Sequence, residues 1–332
     1  PIGEAKVVGF NLSKKIGLAG YKSVSLSRKN FKKLKNLVKE ADIVWSQDVA
    51  FLGAFSIYYA HKMKKPVFNY VHQITWEQAV DVLNFPFFIK RLLAFIIRRF
   101  VNNMYNRCTL LMVPYKQLSS DLDKKGVYAS KAIVPLGVDI NKFIPSEDKY
   151  ASKSEIGIDP KARVIGYCGR ISPEKNINVL KRAFVKLQNE NKDVKLLIVG
   201  DGVENEVKKL KSMQGVKVTG FVKDVVPYLQ AMDIFVMPSL TETTSLATIE
   251  AMACGLSVIS TKVGHIKDYI VPKFNGLFFG KHNDYVLKKK IEMLLENHGT
   301  RHLLGINARK TVEKKFAWNR TIKDIRNCFE LY

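Results

Sequence analysis

Acidic residues are in short supply: 30 Asp and Glu stand against 54 Lys and Arg, a formal net charge of +24 over 332 residues. From Val82 to Ser120 there is none. Charge on this scale bears on partners, anionic surfaces above all, and is silent about fold. Nucleic acid is disfavoured as that partner, because aromatic residues are not interleaved with the basic ones as stacking platforms for bases require. Cysteine is scarce as well. Cys108, Cys168, Cys254 and Cys328 are widely separated, which excludes a disulfide framework or a cysteine metal cluster and fits a reducing cytoplasmic compartment. His61, His265, His282, His298 and His302 show no metal-ligand pairing. No apolar run has the length of a clean spanning helix and no signal peptide opens the chain, so the expected location is cytoplasmic. No G-x-G-x-x-G occurs, which removes the dinucleotide fingerprint. Internal repeats and low-complexity tracts are missing too.

Apolar residues make up 47% and charged residues 25% of the chain, ordinary values for a globular protein long enough for two domains with separate cores. Strand-like runs alternate with helical periodicity throughout, the pattern of parallel sheets wound by right-handed crossovers. In the first half, Arg28 to Glu40 carries Phe31, Leu34, Leu37 and Val38 at helical spacing, while Asp42 to Trp45, Val67 to Val71 and Thr109 to Val113 read as strands. In the second half, Leu196 to Gly202 reads as a buried strand ending in a glycine turn, and Val218 to Asp224 as another.

The richest stretch is Pro238 to Gly255, PSLTETTSLATIEAMACG. Ile234 to Met237 reads as a buried strand that Pro238 ends; Thr243, Thr244 and Ser245 offer N-cap side chains to the apolar-periodic run Leu246 to Cys254, and Gly255 closes the helix. A helix N-terminus behind a parallel strand presents unpaired N–H groups and a partial positive charge, a seat for phosphate. Glu242 lies in the loop beside that seat. Glu250, two turns along at about 100° per residue, is placed to face the same crevice and accept hydrogen bonds from vicinal hydroxyls. Two carboxylates flanking a phosphate seat suggest a sugar nucleotide; solvated loop and helix positions are the plainer alternative for each.

This segment resembles the E-x7-E signature of the family 4 retaining glycosyltransferases, in which the usual text is close to P-S-x-x-E-G-F-G-L-x-x-L-E-A-M-A-x-G. The chain departs from it with E-T-T-S-L in place of E-G-F-G-L. Further segments match in order. VIGYCGRISPEK, Val164 to Lys175, is similar to the family's G-R-x-x-x-E-K element, whose Arg and Lys hold the donor diphosphate; here they are Arg170 and Lys175. A planar guanidinium and a point-charge ammonium at a strand's carboxyl end neutralise a leaving diphosphate without a metal. VISTKVG and NGLFF fall where the family has T-x-x-G-G and N-G-L-L-V, with His265 in place of the second glycine. AIVPLGVDINKF, Ala132 to Phe143, resembles the family's linker, and FAW from Phe316 its closing helix.

The resemblance implies an α/β protein of the GT-B fold, two Rossmann-like domains facing a cleft, with the N-terminal domain lacking its first strand–helix–strand unit. The implied divisions are an acceptor-side domain, 1–140; a nucleotide-sugar donor domain, 141–315; and a helix crossing back to the first domain, 316–332. It also implies a metal-independent enzyme using a UDP- or GDP-sugar, with Arg170 and Lys175 on the diphosphate, amides near Ser245 and Leu246 assisting, Glu242 orienting the donor sugar and Glu250 gripping the ribose. His72, in NYVHQITWE directly after a strand, sits at the carboxyl edge where open α/β sheets bind ligands and resembles a family histidine that faces the reacting sugar. Trp76 and Glu77 are candidates for the acceptor cleft.

The acid-free stretch contains FPFFIKRLLAFIIRRFVNNMYNR. On a helical wheel Lys90, Arg91, Arg98 and Arg99 occupy one half, opposite Leu93, Ile96, Ile97 and Phe100, an interfacial-helix pattern. Residues 85–107 are therefore expected to associate peripherally with an anionic membrane on its cytoplasmic face, and a lipid or lipid-linked glycan is the expected acceptor. A GT-B-fold sugar-nucleotide epimerase and a non-catalytic basic adaptor at the membrane surface are the competing readings.

Overall fold

The computed structural model describes residues 7–16, 22–72, 86–190 and 194–332; Trp76 and Glu77 lie outside the described residues. The chain folds as two compact units, one running to Val134 and including Ile325–Tyr332, the other Pro135–Asp324.

In the first unit a short antiparallel hairpin, β1 (Leu12–Ile16) and β2 (Lys22–Val24), precedes helix α1 (Arg28–Glu40). Ser27 caps α1 by accepting from the amide of Asn30 at 3.2 Å. The buried Asn30 carboxamide donates to the carbonyls of Asn11 and Ser25, tying hairpin to helix. There follow β3 (Val44–Ser46), α2 (Phe51–Lys62), β4 (Val67–Tyr70), α3 (Phe87–Tyr105), β5 (Leu110–Val113), α4 (Lys116–Lys124) and β6 (Lys131–Ile133). The four strands β3 to β6 pair in sequence order, all parallel. Every residue of β4 and β5 is buried, so neither strand alternates; β5 is wholly apolar, and β4 is interrupted by Asn69, whose side-chain amide donates to the Asp48 carbonyl at 3.1 Å. The end of the chain belongs to this unit, with the Phe329 ring edge-on to Trp45 and Phe68.

Helix α3 departs from the half-basic, half-apolar wheel. Leu93 and Ile97 turn inward, Ile97 packing on the core with the buried Val101 and Met104. Ile96 and Phe100 stay exposed together with Phe88, Leu92 and Phe95, in the sector that also carries Arg91, Arg98 and Arg99. The helix has two apolar faces, and the unit needs only one of them for its core.

The second unit contains α5 (Lys149–Glu155), β7 (Arg163–Cys168), α6 (Ile177–Glu190), β8 (Val194–Val199), α7 (Glu204–Lys211), β9 (Val216–Val218), α8 (Val226–Ala231), β10 (Ile234–Met237), α9 (Leu246–Ala253), β11 (Ser257–Thr261), α10 (Ile266–Tyr269), β12 (Leu277–Phe279), α11 (Asp284–Glu296) and α12 (His298–Lys315), and the start of α13 (Trp318–Glu330), whose residues from Ile325 belong to the first unit. Six parallel strands lie in the order β12-β11-β10-β7-β8-β9. Read from β9, the order runs back to β7 and then reverses outward through β10, so the topological switch point of a Rossmann sheet lies between β7 and β10. The expected strand Val218 to Asp224 is corrected: the strand is Val216–Val218, and beyond it Gly220, at φ 74°, turns the chain away. This edge strand has one neighbour only, so little holds its continuation extended.

The core contains the fully buried Phe184, Leu197, Ile198, Phe235, Ile249 and Ile259. Each such side chain contributes roughly 1.5–3 kcal/mol by burial. No helix among the described residues is long and apolar enough to cross a membrane.

Candidate functional site

The loops leaving β7, β10 and β11 at their carboxyl ends are stitched together. After β7 the turn Pro173–Lys175 ends at Asn176, in the left-handed region at φ 51°, whose side-chain amide donates to the carbonyls of Pro238 and Lys281. The amide of Leu240 donates to the carbonyl of Glu174 at 2.8 Å. From β11, the Thr261 hydroxyl donates to the carbonyl of Ser239 at 2.6 Å, and beyond it the His265 amide donates to the Thr243 carbonyl at 2.8 Å. The Tyr269 hydroxyl, fully buried, donates to the Thr244 carbonyl at 3.0 Å. Gly264 is required by this clamp: its φ is 50°, and a Cβ there would lie 1.9 Å from the Glu242 carbonyl oxygen.

Within this frame Lys175 and Glu242 meet. Nζ of Lys175 lies 2.6 Å from Oε1 of Glu242, with the side chains 20% and 7% exposed. The same Glu242 oxygen accepts from the Ser239 hydroxyl at 2.6 Å. Burial pushes the phenols of Tyr167 and Tyr269 upward, and the Glu242 carboxylate adds to both shifts. Arg170 is positioned differently: its side chain is 70% exposed and its guanidinium stands 3.6 Å from Glu174, a loose pair in water that leaves most of its donors open.

Ser245 corrects the capping expectation. It is the N-cap of α9, at φ 58° and ψ 73°, and its side chain caps no amide; Oγ is instead 2.9 Å from the Thr248 hydroxyl. The left-handed backbone costs a residue with a Cβ about 1 kcal/mol, and the related motif has glycine here. With no side chain folded across the helix start, the first amides of α9, those of Leu246 and Ala247, lack an intrahelical acceptor and lie at the positive end of the helix dipole. Glu250, half-buried one turn further on, has its carboxyl raised by burial, with Lys142 acting in the opposite direction. Burial raises the Cys168 thiol at the end of β7, and the Glu250 charge adds to it.

His72 belongs to the first unit. It directly follows β4 at that sheet's carboxyl edge, its ring 4.8 Å from that of Tyr70 and its Nε2 3.0 Å from the Gln47 side-chain oxygen. Burial lowers its basicity and Asp48 partly restores it. The structure therefore brings Lys175 and Glu242 into contact beside Ser245 and Leu246, with Arg170 and Glu250 in the same unit. Sequence reasoning missed Ser239, His265 and Tyr269 as supports of this site. The Pro-Ser pair ahead of Glu242 was the available signal for Ser239; the other two act from β11's far side and leave no local trace.

Two parallel-sheet units, the second with its switch point between β7 and β10, are the architecture of the GT-B fold, and the matches in sequence make the chain a glycosyltransferase. Residues 148–311 match the family Glycosyl transferases group 1. The chain is 26% identical over 313 residues to the alpha-monoglucosyldiacylglycerol synthase of Streptococcus pneumoniae, covering 85% of this chain and 70% of that protein. It is also 26% identical over 300 residues to the synthase of that name from Acholeplasma laidlawii, covering 85% and 73%. The crystal structure of Anabaena HepE in complex with UDP-glucose superposes with a TM-score of 0.78 at 19% identity, over 91% of this chain and 82% of that one.

Proposed function

We propose that this enzyme is a retaining glycosyltransferase that moves a hexosyl unit from a UDP- or GDP-sugar to a hydroxyl of a lipid or lipid-linked acceptor at a membrane surface. The observation that carries the reading is the Lys175–Glu242 pair at 2.6 Å, held at the switch point beside the N-terminus of α9. In this reading the exposed cation Arg170 closes on the diphosphate while Lys175 and the amides of Ser245 and Leu246 receive its oxygens, so that charge on the leaving group is neutralised without a metal. Glu242 orients the sugar, Glu250 accepts from the ribose hydroxyls, and His72 serves the sugar or acceptor. The C1–O bond to phosphate breaks as the acceptor oxygen bonds C1 on the same face, and the acceptor proton passes to the departing phosphate oxygen. Retention is supported by the alpha linkage in the two synthases' names, since common hexose donors are themselves alpha-linked to phosphate. UDP is supported as the first donor to test by the HepE complexes, and a glycerolipid acceptor by the synthases. The exposed apolar and basic sector of α3 supports peripheral attachment to an anionic membrane.

The test offers radiolabelled UDP-glucose, UDP-galactose, UDP-N-acetylglucosamine and GDP-mannose to vesicles containing diacylglycerol and follows label into the organic phase. One donor is expected to transfer, with Arg170→Ala lowering kcat/KM roughly 100-fold while changing unfolding free energy by less than about 0.5 kcal/mol, as for an exposed side chain. UDP or GDP at saturating concentration should raise Tm. No shift with either nucleotide at millimolar concentration and no transfer from any donor would overturn the proposal.

A further inference from the structure

We infer that the first unit carries a discrete site for the phosphate of an anionic lipid headgroup, in the groove between α3 and the loop that follows α4. This inference rests on the membrane-surface reading above and adds to it a defined ligand position. The groove has a volume of about 610 Å3 and is lined by Phe95, Arg98, Arg99, Asn102, Asn103, Asn106, Gly126 and Tyr128, none of them acidic. Its walls are fastened. The Arg98 guanidinium and the Asn102 side-chain amide both donate to the Lys125 carbonyl, at 3.0 and 2.7 Å, and the Asn106 amide donates to the Gly126 carbonyl at 3.0 Å while its oxygen accepts from the amides of Tyr128 and Ala129. Three side chains one turn apart thus pin the loop to the helix. Gly126, at φ 91°, keeps the floor open, since a Cβ there would stand 3.3 Å from the Asn102 amide and 4.0 Å from the Tyr128 hydroxyl.

Arg98 uses a single donor of its fork on the loop, and Arg99, one residue on, is exposed beside it. Two guanidiniums with open donors are a match for the non-bridging oxygens of a phosphodiester, and the Tyr128 hydroxyl at the rim, on a side chain 80% exposed, supplies a further donor.

What selects a lipid over a free phosphate is the surface around the groove. Phe88, Leu92, Phe95, Ile96 and Phe100, 71%, 60%, 63%, 52% and 48% exposed, recur at helical spacing on the side of α3 turned away from the unit's core, and Phe95 is both a member of this stripe and a wall of the groove. A phosphate seated on Arg98 and Arg99 therefore has apolar side chains beside it at the depth where acyl chains begin. None of the lining residues is a carboxylate, and α3 itself carries no Asp or Glu; Asp123, on α4 ahead of the loop, is paired with Lys131 at 2.7 Å. Charge complementarity and the flanking apolar stripe commit the site to a glycerophospholipid at a bilayer surface.

Flotation of the full chain with vesicles of phosphatidylcholine alone, and with added phosphatidylglycerol, tests this. Binding should require the anionic lipid. Arg98→Gln/Arg99→Gln should weaken it more than 20-fold, at roughly five- to tenfold per cation, whereas Lys90→Gln/Arg91→Gln, on the same helix outside the groove, should weaken it less than fivefold. Equal losses from both pairs would mean diffuse attraction and overturn the site. Inorganic phosphate protecting Tm through Arg98 and Arg99 as well as soluble dihexanoylphosphatidylglycerol does would reassign it to a free anion. Thermal shift with UDP on the same variants separates this proposal from the preceding one: wild-type protein that binds UDP but floats with neither vesicle refutes the lipid site alone, and failure of UDP binding with selective flotation intact refutes only the donor reading.

Discussion

Uncoupling Lys175 from Glu242 should cost more than either residue's exposure suggests. Their atoms are 2.6 Å apart and the side chains are 20% and 7% exposed, so the pair is too buried for full solvent screening yet keeps one wet side. A hydrogen bond between charged groups contributes about 1.5–3 kcal/mol, and leaving one buried partner charged and alone approaches 3–5 kcal/mol. Glu242→Gln strands the lysine; Lys175→Met strands a carboxylate whose remaining partner is the Ser239 hydroxyl. Each single change should therefore lower unfolding free energy by about 3 kcal/mol, equivalent to about 6–12 °C in Tm for a unit of this size. The double variant, with no stranded charge, should also lose about 3 kcal/mol rather than 6, a coupling near 3 kcal/mol in a double-mutant cycle. Urea unfolding followed by circular dichroism, with UDP titrated into each variant, measures this. UDP should stabilise Glu242→Gln at least as strongly as wild type, because the diphosphate takes the place of the lost carboxylate beside the lysine, and should stabilise Lys175→Met least. Additivity within about 0.5 kcal/mol would refute the reasoning, since the 2.6 Å contact would then carry no energy.

Two further outcomes follow from the clamp behind this pair. Burial depresses the His265 imidazole from its ordinary 6.5 to about 4, so the unfolded chain takes up a proton that the folded one refuses; stability is unaffected above about pH 6.5, falls as pH drops below it and levels off under about pH 4, a loss of about 3 kcal/mol. Comparison with His265→Asn, which should lack this acid-side loss, checks it by urea unfolding between pH 4 and 7. Gly264→Ala places a methyl 1.9 Å from the Glu242 carbonyl oxygen at φ 50°, and should cost more than about 2 kcal/mol and abolish the Tm response to UDP; an unchanged response would show that the loop after Glu242 is not shaped by this turn.

Much of the fold was legible because its signals are local. Arg28–Glu40 and Ile234–Met237 form as read: the first has an amphipathic period with a serine cap, and the second is a buried parallel strand whose whole length is apolar. The reading of Val218 to Asp224 as strand failed since apolar content cannot tell an edge strand from the loop beyond it; the number of neighbours decides. Assigning α3 a basic face opposite an apolar one failed for a related reason. A helix apolar on more than half its circumference does not declare which part the core takes, and packing against the rest of the unit left Leu93 and Ile97 half-buried and Leu92, Phe95 and Ile96 exposed.

The site divides along the same line. By itself the sequence determined the chemistry on offer: Glu242 and Glu250 eight residues apart around a helix start, an arginine and a lysine behind a strand, and a phosphate seat between them, because spacing along one strand–loop–helix unit is set by backbone geometry. Only the tertiary structure decided which groups touch. Lys175 and Glu242 are 67 residues apart in the chain and meet because β7 and β10 are neighbours at the reversal of strand order. Ser245 stays left-handed, with its hydroxyl turned to Thr248, because the chain from Gly264 to Tyr269 holds the carbonyls of Thr243 and Thr244 from a third strand's loop. Such contacts arise from sheet order and burial, which many sequences with the same local pattern share and none of them encodes in a single stretch.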